Sequence, residues 1–449
     1  MKMPIKVSMI SLGCPKNQVD AEVMLAKLKD AGFRLEQHVG ESDVVVINTC
    51  AFIEDAKKEA IENILEMVQL KKEGTIKGIV VTGCLPQRYF KEMQEEFPEV
   101  DCVLQVGCAG DVAKAVRFAY EGKKLGLACA PEEMPLGGNR IKATLPFYSY
   151  LKIAEGCDNR CTYCIIPELR GKYRSRPIED LVKEAGKLAD SGVKELTLVA
   201  QDTTRYGKDI YGRYALPELL HKLCRIDGLK WIRILYCYPD CLTDELIDTI
   251  ASEDKIVKYI DLPIQHVNDR VLAAMNRHMK KDELTALIKK LREKIPGVTL
   301  RTTLIVGFPG ETEEEFAELA QFVKDTGFER LGAFCYSQEE GTPAAEMEGQ
   351  IDSDVKEKRQ DIIMTEQQTV TERNNALMMD RTVEVLCEGF DRYAECYFGR
   401  SAADAPEIDG KIFFSSEKKL RPGTFVNVHI NDVCDSDLFG EAVQPPKAV

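Results

Sequence analysis

The chain has 449 residues, 44% hydrophobic and 30% charged, which is too long for one ordinary core and predicts two to four domains. A net charge of -14 and a pI near 5.1 oppose general polyanion binding, which Lys and Arg drive, and favour a basic partner. No run reaches the ~18 to 20 apolar residues of a membrane helix, and the start MKMPIKVSMI lacks a secretory apolar stretch, so a cytoplasmic protein without a membrane partner is expected. Sixteen cysteines in that setting read as metal ligands, catalysts or buried thiols rather than as structural disulfides.

From residue 6 to about 120, β-rich runs at 6–10, 44–48 and 78–82 alternate with helical patterns at 18–31, 53–70 and 86–97. That alternation predicts a parallel sheet flanked by helices. Cys14, Cys50 and Cys84 each follow a predicted strand. In an open parallel sheet those loops share the ligand-binding edge, so three thiols distant in sequence can converge there. Three small buried residues would give the same pattern.

Residues 122–147 carry several Gly and Pro without sustained periodicity and read as a linker. Strand-like runs at 150–154, 195–200, 231–236, 258–262, 299–306 and 330–336 follow, separated by helical stretches at 178–191, 216–225, 243–251, 269–295 and 313–326. They predict a partial (β/α)6 TIM-like barrel with its chemistry at the carboxyl ends of the strands. Residues 352–381 are polar and read as one long solvated helix leading out of the barrel. Alternating runs at 382–387, 411–414 and 424–430 predict a small antiparallel β-barrel. Residues 385–449 hold 11 acidic and 7 basic side chains, a poor balance for gripping phosphate. The expected architecture is α/β, divided into an amino-terminal parallel-sheet domain (1–121), a linker (122–147), the barrel with its trailing helix (148–380) and the small β-barrel (381–449).

The sharpest local signal is Gly156-Cys157-Asp158-Asn159-Arg160-Cys161-Thr162-Tyr163-Cys164, directly after the first barrel strand. Its CxxxCxxC spacing is expected by chance roughly 0.02 times in a chain of this cysteine content. Zinc usually takes four protein ligands from paired knuckles, whereas three cysteines on one loop leave one iron of a 4Fe-4S cluster open. The amino and carboxylate groups of S-adenosylmethionine (SAM) can chelate that iron. One electron from the reduced cluster then breaks a C–S bond and yields a deoxyadenosyl radical. Tyr163, between the second and third cysteines, is placed to pack against the adenine or to serve as a core aromatic.

These residues resemble the methylthiotransferase branch of the radical-SAM superfamily, and the resemblance spans essentially the whole chain. Ser11-Leu12-Gly13-Cys14-Pro15-Lys16-Asn17, Asn48-Thr49-Cys50 and Thr82-Gly83-Cys84 are similar to the family's three amino-terminal cysteine motifs, and Ile305-Val306-Gly307-Phe308-Pro309-Gly310-Glu311-Thr312 agrees. The resemblance implies that Cys14, Cys50 and Cys84 hold a second 4Fe-4S cluster whose open iron carries the sulfur to be inserted. One subgroup modifies tRNA adenosine and another an aspartate of small-subunit ribosomal protein S-twelve. Gly13-Cys14-Pro15-Lys16-Asn17 in place of GCQMN resembles the second. So do Ala200-Gln201-Asp202-Thr203-Thr204-Arg205-Tyr206-Gly207 in place of GQNVNSYG, Asp261-Leu262-Pro263-Ile264-Gln265-His266, and residues 399–410 within what looks like a TRAM domain.

The implied reaction puts a methylthio group on the β-carbon of that aspartate. One SAM methylates sulfur at the auxiliary cluster and a second yields the radical that removes the β-hydrogen. Implied partners are the basic ribosomal protein, an electron donor such as flavodoxin or ferredoxin, and a sulfur donor; tRNA is not expected. Hydrogen-atom abstraction needs no general base, so no catalytic side chain is assigned and His266 is read as structural. Gln201 and Asp202, ending the second barrel strand, are candidate hydrogen-bond partners of SAM. Gly307 and Gly310 are candidates for close backbone approach to it. Arg301 and Glu311 are weaker candidates, and the ten remaining cysteines show no ligand-like triplet. The alternatives are the tRNA-modifying enzyme and a non-catalytic iron-sulfur factor that binds ribosomes.

Overall fold

The computed structural model describes residues 3–434 and 437–443. Strands β1 (Lys6–Ser11), β2 (Arg34–Leu35), β3 (Val44–Thr49), β4 (Gly78–Gly83), β5 (Cys102–Leu104) and β6 (Leu125–Leu127) form a parallel sheet in the order β2-β1-β3-β4-β5-β6. Its central strands are apolar at every second position on both faces, because helices cover both. Val45, Ile47, Ile79 and Val81 pack on helix Glu54–Lys72, whereas Val44, Val46 and Val80 pack on helices Pro15–Asp30 and Val112–Tyr120. The strand order reverses between β1 and β3, which opens a crevice at their carboxyl ends.

Three expectations for this region need correction. The helix read over 86–97 is two helices, Cys84–Arg88 and Phe90–Glu96, broken at Tyr89, whose φ and ψ of -127° and 50° leave the helical range. The segment read as linker begins with β6, which pairs with β5 through Cys102 and Leu125. Cys108 and Cys129, read as incidental thiols, form a disulfide. They meet because the chain after β6 crosses back over residues 106–111, where a side chain at Gly107 would collide with the carbonyl of Ala130.

The second body starts with β7 (Tyr148–Lys152). A short antiparallel ribbon, β8 (Ala154–Glu155) with β9 (Arg174–Ser175), brackets the CxxxCxxC loop. Strands β10 (Glu195–Val199), β11 (Trp231–Ile234), β12 (Ile256–Asp261), β13 (Thr299–Val306) and β14 (Arg330–Cys335) follow. With β7 they form an open parallel sheet whose strands lie side by side in chain order. Leu181, Ala185, Leu219, Ile247, Leu287 and Leu319 of the outer helices pack on Leu151, Leu198, Ile234, Ile260 and Leu304 of the strands.

The helix read over 269–295 is broken into Asp269–Ala274 and Lys281–Lys294, with Asn276 at a φ of 57° between them. Helix Ser353–Ala376 is more than a solvated connector, since Ile363 and Val370 are buried and Arg359 pairs with Glu313 at 2.7 Å.

The third body is a closed five-stranded barrel of β15 (Thr382–Asp391), β16 (Cys396–Ser401), β17 (Ile412–Ser415), β18 (Phe425–Cys434) and β19 (Asp437–Val443). Its pairs are antiparallel except β17 with β19, which run parallel where the barrel closes. It docks through buried ions. Arg400 and Arg233 each meet a carboxylate oxygen of Glu195 at 2.8 Å. Among the described residues, no helix is long and apolar enough to cross a membrane.

Candidate active site

Cys14, Cys50 and Cys84 leave the carboxyl ends of β1, β3 and β4. Cys14 caps the amino end of the sixteen-residue helix Pro15–Asp30, whose dipole favours negative charge there. Two glycines let these loops close together. Gly13 has a φ of 88°, and a Cβ on it would lie 2.6 Å from Cβ of Cys50. Gly83 has a φ of 100°, and a Cβ on it would lie 2.5 Å from the Thr49 carbonyl oxygen. No L side chain fits either place. Asn17 donates to the carbonyls of Leu12 (2.7 Å) and Thr49 (3.2 Å), while Asn48 donates to Asn17 O at 2.8 Å, locking the three turns together. Burial pushes the Cys50 thiol up to about 12, and nearby Cys84 and Cys14 add to the rise. Burial also raises Cys84, against the pull of Arg170. Such thiols stay protonated at neutral pH and are poor nucleophiles; a metal is what would displace the proton.

Cys157, Cys161 and Cys164 occupy the loop between β8 and helix Ile166–Arg170. Cys157 N donates to Gly171 O at 3.2 Å, and Thr162 N to Met275 O at 3.1 Å, which anchors both limbs of the loop. Burial pushes Cys157 up to about 12, with Asp202 and Cys161 adding, and raises Cys164 with help from Cys161. Among the described residues, no three His, Cys, Asp or Glu side chains gather closely enough for a single metal ion. Each trio of thiols is close enough for its members to act on one another, and three cysteine ligands per cluster leave one iron open.

A cavity of about 670 Å³ is bordered by one residue of the CxxxCxxC loop and by the segment after Cys50, although none of the six cysteines lines it. Phe52 and Ile53, which follow Cys50, wall it on one side, and Tyr163, Gln265, Ile305 and Tyr336 on the other. Gln201 donates to Glu155 Oε1 at 2.6 Å and keeps its own buried Oε1 without a donor. Buried acceptors of this kind normally have partners. Asp202 is the other candidate hydrogen-bond partner of SAM. It is wholly buried and accepts from Asn159 (2.9 Å), Thr204 (2.7 Å) and Arg205 N (3.2 Å), so it braces the cysteine loop.

Gly307 makes room for Lys356, because a Cβ there would strike its Cγ at 2.3 Å. Gly310, with a φ of 72°, donates to Gly349 O at 2.8 Å. His266 is wholly buried and accepts from Asn268 N at 3.0 Å; Arg301 pairs with Asp261 at 2.8 Å; Glu311 accepts from Phe308 N at 3.0 Å.

Three residues went unassigned in the sequence. Gln265 has a φ of 71° and a buried Oε1 without a donor on the cavity wall. Arg170 donates to Asp20 (2.7 Å), Asn17 (2.9 Å) and Cys84 Sγ (3.4 Å). Lys16 sits over the Tyr236 ring, 3.3 Å from its centroid. Lys16 stands in the Gly13–Asn17 motif without a role read from it, and no pattern in the sequence marks Arg170.

Residues 6–105 match the uncharacterized protein family UPF0004, residues 151–323 the Radical SAM superfamily, and residues 381–443 the TRAM domain. Among solved structures, the radical S-adenosylmethionine methyltransferase TsrM from Kitasatospora setae shares the fold at a TM-score of 0.58 and 15% identity, over 76% of this chain and 77% of that one. The chain is 50% identical over 436 residues to the ribosomal protein uS12 methylthiotransferase RimO of Thermoanaerobacter sp. (strain X514), covering 97% of this chain and 99% of the relative. It is 46% identical to the protein of the same name from Clostridioides difficile (strain 630), covering 98% and 99%. Identity at this level along nearly the full length of both chains places the protein in the family of ribosomal protein uS12 methylthiotransferases.

Proposed function

We propose that the protein adds a methylthio group to the β-carbon of an aspartate in ribosomal protein uS12. One observation carries the reading: a single cavity is walled both by the segment after Cys50 and by Tyr163, between Cys161 and Cys164. Cys157, Cys161 and Cys164 would hold one 4Fe-4S cluster, and Cys14, Cys50 and Cys84 the other. The donor sets fit, being all thiol and three each. SAM fits the barrel mouth, where Oε1 of Gln201 and of Gln265 lack donors that an ammonium or hydroxyl would supply. When bound, the first cluster with SAM supplies the radical that removes the β-hydrogen, and the second supplies the sulfur.

The chain's own residues position and enclose. Tyr163, Phe52 and Tyr336 give the cavity apolar walls. Asn17, Asn48, Asp202 and Gly171 hold the cysteine turns in register. The acidic carboxy-terminal barrel suits a basic protein substrate better than RNA. A cytoplasmic enzyme drawing on a one-electron donor such as flavodoxin or ferredoxin, and on a separate sulfur donor, completes the reading.

The test is to incubate anaerobically reconstituted, reduced protein with SAM, sulfide and either uS12 or tRNA, and to weigh the products. A methylthio gain on uS12 alone is expected. A gain on tRNA alone overturns the substrate, and fully loaded protein that releases no deoxyadenosine would be a binding factor instead.

A further inference from the structure

Lys16 is a buried cation with no carboxylate paired directly to it among the described residues. Its side chain is 7% exposed, and among the described residues no carboxylate lies within ion-pair distance of it. A buried ammonium left so is costly unless something offsets its lost hydration. Here the offset comes first from Tyr236, with Nζ 3.3 Å from the ring centroid, and then from nearby Cys14 and Glu155. The ring is placed at some strain. Tyr236 has a φ of 62°, and its backbone is pinned by N–H donation to Asp261 at 2.9 Å and by acceptance from Thr203 N at 3.0 Å. The fold therefore holds one positive charge, two residues from Cys14, against the residue that follows β11 at the barrel mouth.

Among the described residues, the other buried cations around the two cysteine sets are engaged. Arg170 and Lys152 share Asp20 and Glu155, and Arg301 has Asp261. Arg277 donates to Pro263 O at 2.6 Å, with its guanidinium over Tyr238. In the cavity wall, Lys356 donates to Tyr336 O at 3.1 Å.

The reacting β-carbon of an aspartate is bonded directly to its carboxylate carbon. Wherever that carbon meets the sulfur-bearing side of the site, the carboxylate must be taken out of water close by, and it needs a cation. We infer that Lys16 binds the carboxylate of the target aspartate and so determines that an aspartate, rather than its amide, is accepted. The inference rests on the function proposed above and assigns one residue within it.

The test uses cluster-loaded full-length protein as wild type, Lys16→Gln, Lys16→Arg and Lys356→Gln, with uS12 carrying either the native aspartate or asparagine at the target position. Both KM and equilibrium binding of labelled uS12 are measured. Wild type should prefer the aspartate form by about 30-fold, the worth of a buried charge-assisted hydrogen bond. Lys16→Gln should lose that preference by weakening the aspartate form alone, and Lys16→Arg should retain most of it. An undiminished preference in Lys16→Gln overturns the assignment, as does its collapse in Lys356→Gln instead. Wild type that binds and modifies neither form defeats the proposed function itself, an outcome distinct from a wild-type preference that survives loss of the Lys16 charge.

Discussion

Arg170 Nη2 lies 3.4 Å from Cys84 Sγ, although Arg170 ends the short helix that follows the Cys157–Cys164 loop. One segment thus carries the cysteines of the barrel and touches a cysteine of the amino-terminal sheet. The same guanidinium meets Asp20 at 2.7 Å and Glu155 at 3.4 Å, and Lys152 shares both carboxylates, so two cations and two anions balance in a buried cluster between the domains. Arg170→Met leaves Asp20 and Glu155 with Lys152 alone and should cost about 3 kcal/mol in denaturant unfolding. Arg170→Lys keeps the charge but loses the fork that spans Asp20, Asn17 and Cys84. Because donation to a ligand sulfur raises a cluster's potential, the auxiliary cluster of Arg170→Lys should titrate at a lower potential by electron paramagnetic resonance. An unchanged potential in a fully loaded variant would show that the contact is only structural.

The two cysteine sets should fail differently. Cys161→Ala and Cys50→Ala should each lose roughly four irons, one cubane, in anaerobic iron and labile-sulfide assays. Cys161→Ala should abolish SAM cleavage. Cys50→Ala should still form deoxyadenosine yet leave uS12 unmodified. Equal iron content or equal activity in the two variants would mean the cysteines are wrongly divided.

Local pattern made much of this legible, and long-range ion pairing hid the rest. The valine-rich runs of β3 and β4 announce strands buried on both faces, and Cys50 and Cys84 directly after them therefore fall at the sheet's carboxyl edge. The three residues of β6 were lost inside a Gly- and Pro-rich stretch because Leu125 and Leu127 offer only two apolar positions. The contacts of Asp202 are hidden for a related reason. Its place at a strand end marks it as polar and near the site, but whether it faces a ligand or Asn159 depends on a loop forty-three residues away. Helix Ser353–Ala376 looked fully solvated because it buries Arg359 and Gln367 beside Ile363 and Val370, which blurs its apolar stripe.

Gly13 tests how tightly the first three cysteines must pack. At a φ of 88°, with Cβ of Cys50 only 2.6 Å from where a methyl would sit, Gly13→Ala carries both backbone strain and a collision. The strain alone is worth about 1 to 2 kcal/mol, and the collision displaces Cys50. Gly32 also has a positive φ, of 87°, but nothing lies within 4 Å of a Cβ there. Gly32→Ala should therefore cost the strain and keep its iron, while Gly13→Ala should lose the auxiliary cluster. Equal iron in both variants would show that the close approach of Gly13 to Cys50 is not needed.

The amino-terminal domain is clamped to the barrel beside the cavity by Glu339, which accepts from Arg88 at 2.6 Å and pairs with Lys57 at 3.2 Å. Burial alone would raise the Glu339 carboxyl, but Ser337, Arg88 and Lys57 outweigh it and hold it below the ordinary carboxylate range. A carboxyl depressed in the folded state stabilises fully above its unfolded value of about 4.3, and that contribution disappears as pH falls through the folded value. Thermal melts of the wild type should therefore lose stability as pH drops below about 4. Glu339→Gln should lose about 3 kcal/mol already at pH 7, since it strands Arg88, and should show a shallower fall toward acid. If Glu339→Gln melts with the wild type at neutral pH, the clamp does not hold the two domains together and the cavity wall must be stabilised by the apolar contacts around Phe52 and Tyr336 instead.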